Sequence, residues 1–365
     1  MRRLKTEKKV DEVLLGLWIA LMVIGLVMIY SISSMIAESR FGSHLFFFAR
    51  QIVWLLLSLL VAWAISRVDL ERMAVWSLPA LAIAYLLLVI VFAMPARNEA
   101  HRWIYLGPLT VQPSELFKFA LIVFMAYSLS RPDRDLRRLR NLLIPYGPIL
   151  ALGLGLIMLE PDMGSTIVIT VTAIGILFVA GARLKHLFVA GAPIAALGSF
   201  VVLVMGYKKA RITDYLASVR DPLDGSYQAV QAALTLGSGG IMGMGLGDGR
   251  QKLFFLPYPH TDFIFAGAGE EIGLVGLLII LALFFLLLRR GMKIAAAQPD
   301  RFGYLLASGV TLSLFINIAI NIGVVTCLLP VTGLPLPFIS YGGSSLLISS
   351  AAVGILLNLS RRVTV

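Results

Sequence analysis

Three acids stand where a long apolar stretch begins. Within PYPHTDFIFAGAGEEIG, residues 257–273, Asp262, Glu270 and Glu271 lead into an apolar run that continues to Leu288. A carboxylate at a membrane boundary is costly, so it marks a candidate site. Beside apolar walls its pKa rises, and it can then serve as a general base. If a helix starts near Asp262, then Asp262, Ala266 and Glu270 share one face, which must look into a bundle interior or a water-filled cavity. The plainer role for Thr261 or Asp262 is a helix cap accepting backbone amide hydrogen bonds. A cap has no use for Glu270 and Glu271 two turns further on.

Other charged groups gather around the same kind of boundary. Glu115 and Lys118, in QPSELFKFALIVF, are three apart and share a helix face. They form either an internal ion pair or a cation presented to an anionic substrate. Arg102 and Trp103 precede them in HRWIYLGPLTVQPSE, residues 101–115. Trp at such a level is commonly an interfacial anchor, and the planar fork of Arg suits a phosphate. Glu160, Pro161 and Asp162 make a tight turn in which Asp162 can cap a helix from Gly164. In PFISYGGSS, residues 337–345, Gly342 and Gly343 allow close helix approach. The glycine-rich GSGGIMGMGLGDG, residues 237–249, matches neither the phosphate-loop pattern nor a strict GxGxxG, and no strand precedes it.

The elements that must position these groups are membrane helices. Of 365 residues, 59% are hydrophobic and 14% charged, against roughly 25% charged in a soluble domain. The apolar runs are continuous and about 20 residues long, which favours helices over barrel strands. The pattern predicts an all-α polytopic bundle of ten spans, at 12–34, 45–66, 75–95, 114–130, 142–158, 164–181, 186–206, 263–288, 304–328 and 340–359. It forms one integral membrane domain over residues 1–365. The basic N-terminus leads into a run long enough to span, so it reads as an uncleaved first helix. Lys and Arg cluster on alternate short loops, as in Arg131–Arg140 and Arg289–Lys293, while the opposite loops hold little beyond Arg40, Arg97 and Arg102. This places both termini in the cytoplasm and the candidate site on the outer side of the membrane. Residues 207–262 form the one long extracytoplasmic loop, with amphipathic helices near 212–219 and 227–236.

The formal charge of +11 therefore reports topology and not nucleic acid, since no basic-aromatic motif accompanies it. One cysteine, Cys327, excludes an internal disulfide and a cysteine-based metal site, and the four histidines show no paired helical spacing.

Six motifs together carry a family resemblance: RWIYLGPLTVQPSELFK (102–118), EPDMGST (160–166), YQAVQAALTLGSGG (227–240), GLGDGRQKLFFLP (245–257), HTDFIFAGAGEEIG (260–273) and GLPLPFISYGGSSLL (333–347). The chain resembles the SEDS family (shape, elongation, division and sporulation; FtsW, RodA and SpoVE) over nearly its whole length. The last motif leans towards the cell-division branch. The resemblance implies a ten-helix peptidoglycan glycosyltransferase that polymerises lipid II. Its implied partners are a class B penicillin-binding protein, other divisome or elongasome proteins and membrane lipid. The essential Asp of the family falls on Asp262, its paired Glu and Lys on Glu115 and Lys118, and its Trp on Trp103; His260 lies in the same motif as Asp262. Where family members read LPE, this chain reads Leu256, Pro257 and Tyr258, so no acid stands beside the expected base.

The mechanism so implied has Asp262 take the proton of a sugar 4-hydroxyl while undecaprenyl pyrophosphate leaves. Lys118, Arg102, Arg211 and Lys252 are the candidates for stabilising the departing charge, with Glu115, Trp103, Asp162, His260 and Glu270 around the substrate. A divalent cation (Mg or Mn) could share that work, although no ligand set is legible. The alternatives are a lipid II flippase, which needs a polar path across the bilayer, and a non-catalytic scaffold for a partner synthase.

Overall fold

The computed structural model describes residues 9–95, 100–107, 109–132, 136, 138–192, 209–220, 225–249 and 259–363. Among these the protein is helical apart from one short hairpin. Helix α1 (Glu12–Phe41) starts where the Asp11 carboxylate accepts from Leu14 N and stops at Gly42, whose left-handed backbone turns its N–H onto Glu38 O. It outruns its expected end at residue 34, and the hydroxyls of Ser33, Ser34 and Ser39 are satisfied there by carbonyls of their own helix. Next come α2 (Phe46–Ile65) and α3 (Leu70–Ile90), the latter begun early by an Asp69 cap. The hairpin of β1 (Ile104–Leu106) and β2 (Leu109–Val111) was not expected, and leads into α4 (Pro113–Ser130), α5 (Leu139–Leu159) and α6 (Met163–Val179).

The seventh expected span is helical over 184–192 (α7), and its remainder to 206 lies outside the described residues. The two amphipathic helices are present as α8 (Lys209–Arg220) and α9 (Tyr227–Ser238). The chain closes with α10 (Ile264–Ala296), α11 (Arg301–Val325) and α12 (Gly343–Ser360). Seven described helices, α1, α2, α3, α5, α10, α11 and α12, are long and apolar enough to cross a membrane. Helix α6 is shorter, and α4 gives part of its length to Pro113, Glu115 and Lys118. The chain is a multi-pass membrane protein. Helices α11 and α12 are its inner pillars, buried along most of their length. Close approach depends on small residues: a Cβ at Gly354 of α12 would lie 2.7 Å from Ala62 O of α2.

Two expectations about α10 are corrected. The helix starts at Ile264, so Asp262 lies in the turn before it and shares no helix face with Glu270. The helix is also broken at Gly273 (φ 66°, ψ −172°), a conformation open essentially to glycine alone. A break frees carbonyls on one side and amides on the other, and in lipid these must find partners. The glycine-rich loop supplies them. Met244 N and Gly245 N donate to Glu270 O and Glu271 O, at 2.9 and 3.0 Å, while Leu274 N and Val275 N donate to Gly240 O and Ile241 O, at 3.0 and 3.2 Å. Backbone can meet backbone there because no side chain intervenes: a Cβ at Gly243 would stand 2.3 Å from Glu271 O. The glycines at 239–245 thus serve this clasp.

Candidate active site

The turn carrying Asp262 is fixed through its backbone. Tyr341 N donates to His260 O (2.9 Å), Ser340 Oγ to Thr261 O (2.6 Å), and Asn321 Nδ2 to Asp262 O (2.8 Å). The same Asn321 nitrogen donates to Leu334 O at 2.7 Å, so one buried amide of α11 joins the turn to the 326–342 loop. With its carbonyls taken this way, the turn does not continue α10 backwards, and no side chain caps that helix. The carboxylate of Asp262 is left for other work. A Cβ at Gly333 would lie 3.6 Å from its Oδ2. Burial raises its pKa to about 6, against the pull of Arg211 and Arg102 in the other direction.

Arg102 is held by carbonyls: Nε donates to Glu160 O at 3.1 Å and Nη2 to Pro161 O. Arg211 of α8 donates from Nη1 to Val331 O at 3.0 Å. Two cations so placed near a carboxylate are suited to negative charge developing beside it. Trp103 is half-buried just before β1. Lys252 lies outside the described residues.

Several other expected site residues have structural duties. Glu115 and Lys118 close on each other at 2.8 Å, with relative exposures of 5% and 6%, which is the internal ion pair. Removing one partner strands a buried charge at a cost of about 3–5 kcal/mol. Lys118→Met alone is therefore expected to lower thermal stability sharply, and Glu115→Gln with Lys118→Met to recover most of it; unfolding of the three proteins in one detergent checks this. Asp162 accepts from Ser165 N and Oγ and from Gln112 Nε2, joining the starts of α4 and α6. His260 packs its ring 4.3 Å from Phe47 and 5.7 Å from Tyr341. Burial, then Arg40, pushes its pKa down to about 4, so it is neutral at pH 7 and no source of positive charge. Glu270 is buried in the clasp, roughly 9 Å of helix rise beyond the first residue of α10. The structure does not bring it to Asp262. Among the described residues no three His, Cys, Asp or Glu side chains gather to hold a metal ion.

In the sequence Glu160 stands only as part of a turn. Its carboxyl is fully buried, and neither oxygen has a hydrogen-bond partner among the described residues. Burial first, then Asp162, raises its pKa to about 9, with Arg102 opposing. A raised folded-state pKa means the folded protein holds the proton. The associated stability is complete below about pH 4.5 and is lost as pH rises through about 9. Glu160→Gln removes that dependence. The variant should flatten the fall of melting temperature between pH 5 and 9 and gain of the order of 3 kcal/mol at pH 7; a thermal-shift series across that range measures it.

Known proteins share this sequence and fold. The family described as cell cycle protein, FtsW/RodA/SpoVE, matches residues 11–365. A probable peptidoglycan glycosyltransferase FtsW of Trichlorobacter lovleyi is 42% identical, over 96% of this chain and 93% of that one. The stage V sporulation protein E of Bacillus subtilis is also 42% identical, over 96% and 97%. Among solved structures, a peptidoglycan synthase complex that coordinates polymerization and crosslinking contains a chain that superposes with TM-score 0.79 at 31% identity, covering 97% of this chain and 98% of its own. The rod-shape-determining protein RodA of Thermus thermophilus superposes with TM-score 0.71 at 29% identity, over 97% of each. With the family matched from residue 11 to the last residue and relatives alike along their full length, the chain belongs to the FtsW/RodA/SpoVE family of cell cycle proteins.

Proposed function

We propose that this protein is a peptidoglycan glycosyltransferase of cell division or cell shape, polymerising lipid II on the outer face of the cytoplasmic membrane. The observation that carries the reading is the carboxylate of Asp262: its turn is anchored through three backbone carbonyls, its side chain is left to act, and Arg211 and Arg102 stand by. Asp262 takes the proton of the acceptor 4-hydroxyl. The oxygen attacks the donor anomeric carbon, undecaprenyl pyrophosphate departs with the bonding electrons, and inversion gives a β-1,4 linkage. Arg102 stabilises the departing charge, and a class B penicillin-binding protein acts alongside as the crosslinking partner.

A base with a pKa of about 6 must be ionised to work. Polymerisation at limiting substrate should rise about tenfold per pH unit below 6 and level off above 7. A flat profile from pH 5 to 8 would count against Asp262 as the base. Broken helices are common in transporters, and α10 is broken. Its freed ends, however, close on the backbone of residues 240–245. That favours a fixed scaffold over a moving gate.

A further inference from the structure

Helices α8 and α9 and the 326–342 loop enclose a cavity of about 200 Å³. Part of its lining fastens the wall: Tyr215 Oη donates to Leu328 O at 2.8 Å, and Arg211 Nη1 to Val331 O. Two polar groups are not used in this way. The carboxylate of Asp214 and the amide of Gln228 line the cavity and make no hydrogen bond or ion pair with a described residue. Arg211 and Asp214 are one helical turn apart on α8 and line the same cavity, yet do not pair with each other. A cation and an anion held apart in one small cavity complement a ligand carrying both charges.

An ammonium and a carboxylate on one carbon, with the next methylene, fit within a cavity of this size. Position narrows the ligand. The loop that supplies Val331 also supplies Gly333, beside the Asp262 carboxylate, so the cavity adjoins the candidate site across two residues.

We propose that this cavity binds the zwitterionic amino-acid end group of a peptide carried by the sugar substrate, with the ammonium on Asp214 and Gln228 and the carboxylate on Arg211. A diamino-dicarboxylic residue supplies such an end group within a peptide; a lysine in its place supplies the ammonium without the carboxylate. The proposal rests on the glycosyltransferase reading for the identity of the substrate.

The test uses the full-length protein and three soluble probes: the tripeptide L-Ala–γ-D-Glu–meso-diaminopimelate, its lysine counterpart, and free meso-diaminopimelate. Binding is followed calorimetrically, with lipid II polymerisation measured in parallel. The diaminopimelate peptide is expected to bind roughly 10–100-fold more tightly than the lysine peptide, and Asp214→Asn to lose a similar factor. With lipid II bearing the same peptide, Asp214→Asn should raise KM and leave kcat near wild type. Equal binding of the two peptides by wild type overturns the proposal without recourse to any variant. So does free diaminopimelate binding as tightly as the tripeptide, since the cavity would then read a free amino acid. Peptide discrimination without polymer leaves the cavity assignment standing and removes the glycosyltransferase reading. Polymer without discrimination does the reverse.

Discussion

Asp262→Asn, purified with its partner synthase present and crosslinking inactivated, is expected to make no detectable glycan from lipid II under conditions where wild type makes long polymer. Asparagine keeps the shape of the side chain and cannot accept the proton. A positioned base contributes about 10²–10⁴-fold, so the loss should approach the detection limit. The variant should fold, because the turn is held by the carbonyls of His260, Thr261 and Asp262 and not by the carboxylate. Equal polymer from both proteins, with matched melting curves, would move the base elsewhere. If neither makes polymer, transport of lipid II by the same two proteins becomes the deciding measurement.

Gly273→Val should have the largest effect on folding. Gly273 sits at φ 66°, and a Cβ there would lie 2.3 Å from Gly243 N and 2.6 Å from Ile241 O. Strain alone costs about 1–3 kcal/mol. The side chain would also prise apart the four-bond clasp, and each backbone group left buried without a partner costs about 1–3 kcal/mol. The sum is comparable to the whole stability of a typical domain, roughly 5–15 kcal/mol. Loss of monodisperse protein on detergent extraction is the expected result. A well-behaved variant with unchanged melting temperature would show that the clasp contributes little.

The helices were legible because lipid demands continuous apolar runs, and Asp262 because a carboxylate at that boundary is costly. The clasp was not. Glycines at 239–245 could be seen to avoid a nucleotide pattern, but their partner at Gly273 lies inside an apolar run that reads as one unbroken helix. Asn321 does carry a signal in the sequence, since a polar amide four residues from Asn317 in an apolar helix is costly unless it is bonded. The hairpin at 104–111 carries a signal in Ile104-Tyr105 and Leu109–Val111 around Gly107-Pro108, masked by its reading as an interfacial loop. Glu160 needed coordinates: EPDMGST points to Asp162 as the cap of the next helix, as found, but nothing in it tells that Glu160 is sealed inside.

The anchoring of the Asp262 turn sets an order of assembly. The clasp joins residues 240–245 to 270–275, neighbours in sequence that can meet as soon as α10 has left the ribosome. Thr261 must wait for Ser340, 79 residues later, and Asp262 for Asn321, 59 residues later. A chain made from its N-terminus reaches those residues only with the last two spans. Synthesis therefore finishes the clasp before it anchors the Asp262 turn, and a chain truncated before residue 321 would carry that turn without its anchors from Asn321, Ser340 and Tyr341.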